Sequence, residues 1–391
     1  MLDGFDVLVI SLVGAGVSRE WHLSSSQLGL LFGAGLCGMV IGSFFVAPIA
    51  DRLGRRVVVL TCALVVGIGM FLSALADNYL TLAACRLVTG VGIAGILACA
   101  VVLVSEYSSP HWRNTSIFVY TFGYSLGATL GGAIAAALIQ HFSWRAAFQF
   151  GAGASLLMLP VAFRFLPEST IFLASRGRGS AATIANAQVS SGRRLGYLRG
   201  LFNANSARPT VFLSGAFFFA MSGYYFVFNW TPKLLSVGGL SAQQGVNSGV
   251  LLSFGGMAGT ILFAVVGRIA HVQRVAVVCL WVSAILMGVL AFNATDVTVA
   301  LVTAVALGGA STTALAGFYA LTPTLYGPEA RSGGMGWAVG TGRIGAILAS
   351  LVAGYLVDHG WTPVALYCLY AGTFLVASVS ILGIGSTRRR I

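Results

Sequence analysis

Long apolar stretches recur along almost the whole sequence, and they constrain the fold more than any other feature. A bilayer core is about 30 Å thick, and a helix needs about 20 residues to cross it. The stretches are continuous rather than alternating, so helices are favoured over a barrel. All but the first reach the required length. The predicted spans are 1–17, 26–50, 57–76, 79–104, 114–140, 145–166, 209–231, 241–266, 275–294, 297–321, 332–357 and 362–385.

Charge is too scarce for a soluble protein of this length. Only 8% of the 391 residues are charged, whereas 57% are hydrophobic. A soluble domain needs more charge to cover its surface. The six cysteines lie in apolar spans without a CxxC pair, so neither disulfides nor a metal site is expected. No nucleotide-phosphate loop and no nucleophile–base pair is evident, so we expect neither a cofactor nor an enzyme.

The 22 Lys and Arg residues lie mostly on one side of the predicted spans. The loops on the other side hold only Arg19, Arg145 and Lys233, and Arg86 and Arg343 lie within spans. The positive-inside rule therefore predicts that both termini are cytoplasmic. The net charge of +12 indicates topology and contact with lipid headgroups, so no nucleic-acid partner is expected.

The second half of the sequence repeats the first across a polar break at residues 170–208, which contains no acid. The segments 90–113 and 308–331 both run from a Gly to an Arg over the same length. Span 5 is followed by HFSW (141–144) and span 11 by DHGW (358–361). Repeated helical bundles around a site at the bilayer midplane are typical of secondary transporters.

We therefore predict an all-α polytopic membrane protein of 12 helices in two halves. The predicted units are an N-terminal six-helix bundle (1–169), a cytoplasmic linker (170–208) and a C-terminal six-helix bundle (209–391).

Six motifs resemble those of the major facilitator superfamily, and the last four of them resemble its aromatic acid:proton symporter family. They are GSFFVAPIADRLGRR (42–56), RLVTGVGIAG (86–95), DGFD (3–6), SEYSSPHWR (105–113), LPES (166–169) and GRIGAI (342–347). Ala47 stands where the first motif usually has Gly, and the second-half copy of that loop lacks its Asp.

The resemblance implies the major facilitator fold and a multi-pass protein of the bacterial cytoplasmic membrane. It implies import of a benzoate- or hydroxybenzoate-class acid with protons, driven by the proton gradient and without a cofactor. A monomer is expected. The alternatives are an exporter of the proton-antiporter type or a symporter of another small organic anion. Antiporters of the superfamily carry GPxxGG in helix 5, whereas this chain has GATLGG (127–132) with Ala128 in place of Pro, which favours symport.

Asp3 and Asp6 are the only acids able to lie deep in the membrane, because the next acid after Glu168 is Asp296, in a loop. The two residues share a helix face. They are proton acceptors in the predicted function, and the family's DGxD acids have that role. The alternative is that they cap the start of the helix.

Arg343 lies near the centre of span 11, where a guanidinium matches a carboxylate of the substrate. We expect Gly340, Gly342 and Gly345 to leave room beside it; a structural Arg bound to backbone carbonyls is the alternative. Arg86 is expected either to bind substrate or to act on a neighbouring Asp, or else to extend outward to the interface.

Gating is predicted at the cytoplasmic ends of the helices. In the family the loop after span 2 is a conformational gate. Asp51 is expected to face a helix N-terminus, that of span 11, and Glu106 to pair with Arg113. A solvated loop is the alternative. The predicted gating residues are Asp51, Arg52, Gly54, Arg55, Arg56, Glu106, Arg113 and Arg331.

Aromatic side chains within the spans are expected to form the walls of a site for a ring. Those predicted to contact substrate are Tyr124 in span 5 and Tyr225 and Trp230 in span 7.

The native chain is expected to extend upstream of Met1. Span 1 is short for a bilayer, and the family's acids lie in mid-helix after about ten apolar residues. We expect the intact mass of the natural protein to exceed that of 391 residues. A mass equal to that of the printed sequence would contradict this prediction.

Overall fold

A computed structural model describes residues 1–109, 111–169, 172–173, 207–326 and 331–388. Twelve long helices lie in these residues, six before the polar break and six after it, and a 3₁₀ turn (Thr322–Thr324) follows the tenth. They are α1 (Leu2–Glu20), α2 (Ser25–Leu53), α3 (Arg55–Ala74), α4 (Tyr79–Tyr107), α5 (Arg113–His141), α6 (Trp144–Phe165), α7 (Ala207–Val237), α8 (Ala242–Ile269), α9 (Val272–Phe292), α10 (Val297–Leu321), α11 (Arg331–Asp358) and α12 (Pro363–Arg388).

The prediction of an all-α fold with 12 helices is confirmed. In the described residues, 11 helices are long and apolar enough to cross a membrane, and α1 is the exception. It carries four charged residues among its 19, Asp3 and Asp6 at one end and Arg19 and Glu20 at the other. The largest error in the predicted bounds concerns α7, which continues past Pro232 to Val237. The division into two bundles and a linker stays a prediction, and most of the linker lies outside the described residues.

Corresponding helices of the two halves begin in the same way. Ser24 before α2 and Ser241 before α8 each form a capping box with the Gln three residues later. Asn78 before α4 and Asp296 before α10 each accept hydrogen bonds from backbone N–H groups of the first turn. Such caps satisfy N–H groups that have no partner within the helix.

Glycines allow equivalent helix pairs to cross closely in both halves. A Cβ on Gly38 or Gly90 would collide with the backbone of the facing helix at the α2–α4 crossing. Gly255 and Gly308 have the same relation at the α8–α10 crossing. Small residues at such crossings let helix backbones approach each other in membrane proteins. Gly90 and Gly308, which mark the sequence repeat, therefore have equivalent structural roles.

The two ends of the helical bundle differ in composition. The end at which α2, α4 and α6 finish is named the arginine-rich end, and the other is named the opposite end.

The described polar contacts that join α1–α6 to α7–α12 lie at the opposite end or halfway along the helices. Lys233 of α7 donates to Ser18 of α1 (3.2 Å), and Gln243 of α8 donates to the Ala136 carbonyl of α5 (3.4 Å). Lys233 was predicted in a loop, but α7 extends far enough to contain it.

Asp358 at the end of α11 makes two further hydrogen bonds between the halves. Its two carboxylate oxygens accept hydrogen bonds from the backbone N–H groups of Ser25 (2.7 Å) and Ser26 (2.8 Å), the first residues of α2. A carboxylate at a helix N-terminus satisfies N–H groups that lack a helical partner and interacts favourably with the helix dipole. The end of α11 is thereby attached to the start of α2 at the opposite end of the bundle.

Replacing Asp358 with Asn is expected to let the opposite end open more often. At an exposed position the charge is worth roughly 1 kcal/mol, or about a fivefold change in the populations of closed and open forms. Nitroxide labels on Asp77 and Val237, two exposed residues at that end, measure the change as a longer distance by double electron–electron resonance.

Asp296→Asn is the matched control for this experiment. Asp296 also accepts hydrogen bonds from two backbone N–H groups, those of Thr298 and Val299, but these belong to its own helix. Unchanged distances in Asp358→Asn, or equal changes in both variants, would contradict a role for Asp358 in closure.

Candidate functional site

Two cavities lie between α1–α6 and α7–α12, about halfway along the helices. The first, of about 380 Å³, lies between α1, α2, α4 and α7. The second, of about 530 Å³, lies between α1, α5, α7, α8 and α10. Val7 of α1 and Tyr225 and Asn229 of α7 line both.

Asp6 and Arg86 form a buried ion pair in the wall of the first cavity. The Nη1 atom of Arg86 lies 2.8 Å from Oδ1 of Asp6, and neither side chain is more than 4% exposed. Arg86 Nη2 also donates to Ser73 Oγ (3.1 Å), and its guanidinium lies over the ring of Phe148 (4.9 Å). The outward-extended alternative for Arg86 is wrong, because its contacts keep it inside the bundle. Of the roles predicted for Arg86, an electrostatic effect on a neighbouring Asp matches this geometry, because Arg86 pairs with Asp6.

Asp3 lies one helical turn before Asp6 and is half-buried. The position of α1 is set by Gly4, whose missing side chain lets the helix touch the backbone of α5 at Tyr124. Tyr124 lies 11 residues into α5, so the two acids lie roughly 16 Å from the arginine-rich end. The helix-cap alternative is wrong, since no side chain caps α1.

Arg343 lies 12 residues into α11, roughly 18 Å along the helix. Its Nη1 donates to Ser43 Oγ of α2 (3.3 Å), and within the described part of the chain no carboxylate pairs with it. The described hydrogen bond of Arg343 is to a hydroxyl group and not to a backbone carbonyl, so it does not support the alternative of a structural Arg bound to carbonyls. Arg343 itself lines neither cavity.

The expectation for the glycines around Arg343 is correct for one of three. A Cβ on Gly340 would meet nothing within 4 Å, so this glycine faces open space. A Cβ on Gly342 would collide with Met221, and one on Gly345 with the Phe218 carbonyl. These two glycines therefore let α11 pack closely against α7.

The predicted aromatic wall is present in part. Tyr124 lines the second cavity and Tyr225 lines both. Trp230 does not line either cavity, and its prediction as a contact residue is not supported by the geometry. Its side chain is fully buried, and its ring packs edge-to-face against Phe32 of α2 (5.4 Å), so it holds the two halves together. Phe228, which lines the second cavity, was not predicted.

Uncharged polar residues in the cavity walls were also missed. Asn229 lines both cavities, and Ser11, Ser125, Ser253 and Thr312 line the second. Among the described residues, no charged side chain lines the second cavity. Single polar residues in long apolar spans give no periodic signal, and hence only their three-dimensional positions identify them.

A polar network joins α2, α3, α4 and α6 at the arginine-rich end. Gly54 has φ +102°, a left-handed conformation that glycine adopts without strain, and it turns the chain from α2 into α3. Glu168 accepts hydrogen bonds from the backbone N–H groups of Arg55 (2.8 Å) and Arg56 (3.1 Å) at the start of α3. Glu168, in the LPES motif, was missed as part of this network.

Glu106 pairs with Arg55. The predicted pair of Glu106 with Arg113 lies outside the described side chains and stays a prediction. Glu106 also accepts a hydrogen bond from Ser169 (2.7 Å), so α4 is tied to the segment after α6. Arg52 is exposed, and Arg56 donates to the Phe163 carbonyl. The side chains of Asp51, Arg113 and Arg331 lie outside those that the structure describes, and their gating roles stay predictions.

Known proteins resemble this chain along its whole length. The gallate transporter of Pseudomonas putida is 29% identical over 100% of the chain and 90% of its own length. The 4-hydroxybenzoate transporter PcaK of Acinetobacter baylyi is 27% identical over 92% of the chain and 83% of its own length. The resemblance to aromatic acid transporters is therefore confirmed.

The fold is shared with a solved sugar transporter. A structure of the xylose transporter XylE from E. coli, in a partially occluded inward open conformation, superposes with a TM-score of 0.76. The sequences are 17% identical, and the match covers 97% of this chain and 93% of the other. At that identity the likeness shows the fold alone.

The sequence model of the Major Facilitator Superfamily matches residues 1–274 of the chain. Its members and the relatives above are membrane transporters rather than enzymes. The chain belongs to the Major Facilitator Superfamily and is a multi-pass membrane transporter.

Proposed function

We propose that the protein imports an aromatic carboxylic acid of the benzoate or hydroxybenzoate class together with protons. Transport proceeds by alternating access, is driven by the proton gradient and uses no cofactor. Both termini are cytoplasmic, the protein lies as a monomer in the bacterial inner membrane, and the arginine-rich end faces the cytoplasm. The relatives named as transporters of gallate and 4-hydroxybenzoate support the substrate class.

One observation carries the proposal: Arg343 lies mid-bundle without a carboxylate partner among the described residues, whereas Arg86 is paired. A charged guanidinium in a membrane interior is costly unless an anion or a polar shell accompanies it. Because Asp6 already neutralises Arg86, the anion for Arg343 has to come from elsewhere. A substrate carboxylate binds a guanidinium through two parallel hydrogen bonds.

The ring of the acid lies against the aromatic residues beside the second cavity. Tyr224 and Phe228 stack on each other (4.4 Å between centroids), and Tyr224 packs edge-on to Tyr225 (5.5 Å). Such faces stabilise a planar ring through stacked and edge-to-face contacts. Tyr225 belongs to this aromatic surface and lines both cavities.

Charge balance gives the reason for proton coupling. With Asp6 paired to Arg86, the remaining charged side chains among the described interior residues are those of Asp3 and Arg343. A monocarboxylate beside Arg343 then leaves one net negative charge, which is costly in a cavity of low dielectric constant. Protonation of Asp3 removes that charge, so the loaded carrier can close. We therefore assign the transferred proton to Asp3, whereas Asp6 is paired with Arg86.

Uptake into vesicles tests the proposal. Purified protein in liposomes is expected to accumulate labelled benzoate or 4-hydroxybenzoate when the outside is more acidic, and to lose accumulation when a protonophore is added. Uptake driven by an opposite pH gradient would favour a proton antiporter. No uptake of either acid would contradict the substrate class.

A further inference from the structure

We propose that Asn229 accepts a hydrogen bond from a hydroxyl group on the ring of the substrate, and that Ser350 holds the Asn229 amide in the orientation this requires. The inference rests on the proposed function, because it assumes an aromatic acid in the site. It goes further, because it assigns the selectivity for a ring hydroxyl to Asn229 and the orientation of the Asn229 amide to Ser350.

Ser350 determines the orientation of the amide through its own hydrogen bond. The Ser350 hydroxyl donates its only proton to the Ala346 carbonyl in the preceding turn of α11 (3.2 Å). Its oxygen is left as an acceptor. The group that faces it from α7 must therefore be a donor, and Asn229 Nδ2 lies 3.1 Å away. The amide group of Asn229 is thus fixed with its nitrogen towards α11.

The carbonyl oxygen of Asn229 is consequently free to accept. No described residue donates to Oδ1, and Asn229 lines both cavities. Two hydroxyl groups of the second cavity are restricted in the same way, since Ser11 donates to the Leu8 carbonyl and Ser253 to the Gly249 carbonyl. These three oxygens present lone pairs, so they can accept a hydrogen bond from a phenol but form no hydrogen bond with an ether.

The spacing along α11 favours a hydroxyl opposite the carboxylate on the ring. Arg343 and Ser350 are seven residues apart, so they lie on one face of α11, roughly 10 Å apart along its axis. Asn229 contacts Ser350, and the proposed carboxylate contact is at Arg343. A benzene ring with a carboxylate and a para hydroxyl, with a hydrogen bond of about 2.8 Å at each end, bridges roughly that separation.

Binding of three probes to the full-length protein tests the inference. The probes are 4-hydroxybenzoate, benzoate and 4-methoxybenzoate, measured by isothermal titration calorimetry in detergent. The wild-type protein is expected to bind 4-hydroxybenzoate about tenfold more tightly than either of the others, as for one additional hydrogen bond. Asn229→Leu keeps the size of the side chain but not its acceptor, and it should bind all three probes within about twofold of one another.

Ser350→Ala distinguishes positioning from direct contact. It leaves Asn229 in place but removes the acceptor that orients the amide, so the preference for 4-hydroxybenzoate should fall while the benzoate affinity is unchanged. Ser283→Ala is the matched control, because Ser283 is also buried and donates to the carbonyl four residues earlier, yet it lines neither cavity. It should keep the wild-type preference.

The two ways to fail are distinguishable. If wild-type protein binds neither benzoate nor 4-hydroxybenzoate, the proposed function fails and the inference fails with it. If it binds both acids equally, or if Asn229→Leu keeps the wild-type preference, the inference is overturned while the proposed function stands. A preference that survives in Ser350→Ala overturns the positioning role of Ser350.

Discussion

Replacement of Asp3 by Asn is expected to abolish accumulation of the acid against its gradient, while binding of the acid persists. Asn resembles Asp in shape but cannot take up and release a proton, so the loaded carrier no longer depends on the proton gradient. In vesicles with an acidic outside, uptake by Asp3→Asn should stop when the internal and external concentrations are equal. Accumulation at the wild-type level in this variant would contradict the assignment of the proton to Asp3.

Asp6→Asn should differ in its effect from Asp3→Asn, because Asp6 forms a buried ion pair with Arg86. Its replacement leaves the buried Arg86 guanidinium without a counter-charge. Removing one partner of a buried ion pair costs about 3–5 kcal/mol, so the melting temperature of the purified protein should fall clearly. In Asp3→Asn it should change little, since none of the described ion pairs includes Asp3. The double variant Asp6→Asn/Arg86→Gln should recover much of the loss.

Replacement of Arg343 by Ala is expected to weaken binding of the acid by roughly 10- to 150-fold. The estimate follows from about 1.5–3 kcal/mol for a hydrogen bond to a charged group. Lys keeps the charge but lacks the planar fork that binds both carboxylate oxygens, so Arg343→Lys should lose about tenfold. Titration calorimetry with 4-hydroxybenzoate measures both variants.

Arg145→Ala is the control for the loss of an arginine. Arg145 pairs with Glu20 at the opposite end of the bundle (2.6 Å), where both side chains are exposed enough for solvent to weaken the pair. Such surface pairs contribute about 0–1 kcal/mol, and the affinity for the acid should stay within about twofold of wild type. If Arg343→Ala binds as tightly as Arg145→Ala, Arg343 does not hold the carboxylate.

Most of the fold could be predicted because helix length and hydropathy are local properties. Each span had to be long enough to cross a bilayer, and caps such as Ser24 and Asn78 set where helices begin. The predicted end of α7 at residue 231 is too early, because the helix continues through Pro232 and Lys233. In the structure the helix continues to Val237, and Lys233 thereby reaches Ser18 of α1.

The candidate site could be predicted only where charge made a residue conspicuous. Asp6, Arg86 and Arg343 were identifiable because a charge in an apolar span requires a reason. Their partners were not, since pairing of Asp6 with Arg86 depends on how α1 lies against α4. The contact between Asn229 and Ser350 joins residues 121 positions apart, and neither residue is unusual in a membrane helix.

The dependence of substrate affinity on pH tests proton symport most directly. If anion and proton stabilise each other in the site, each must strengthen the binding of the other. The dissociation constant of 4-hydroxybenzoate for the wild-type protein should therefore decrease as pH falls, by up to about tenfold per pH unit for one coupled proton, until the acid itself becomes protonated. Asp3→Asn should remove this dependence. An affinity of the wild-type protein that does not change with pH would contradict the account.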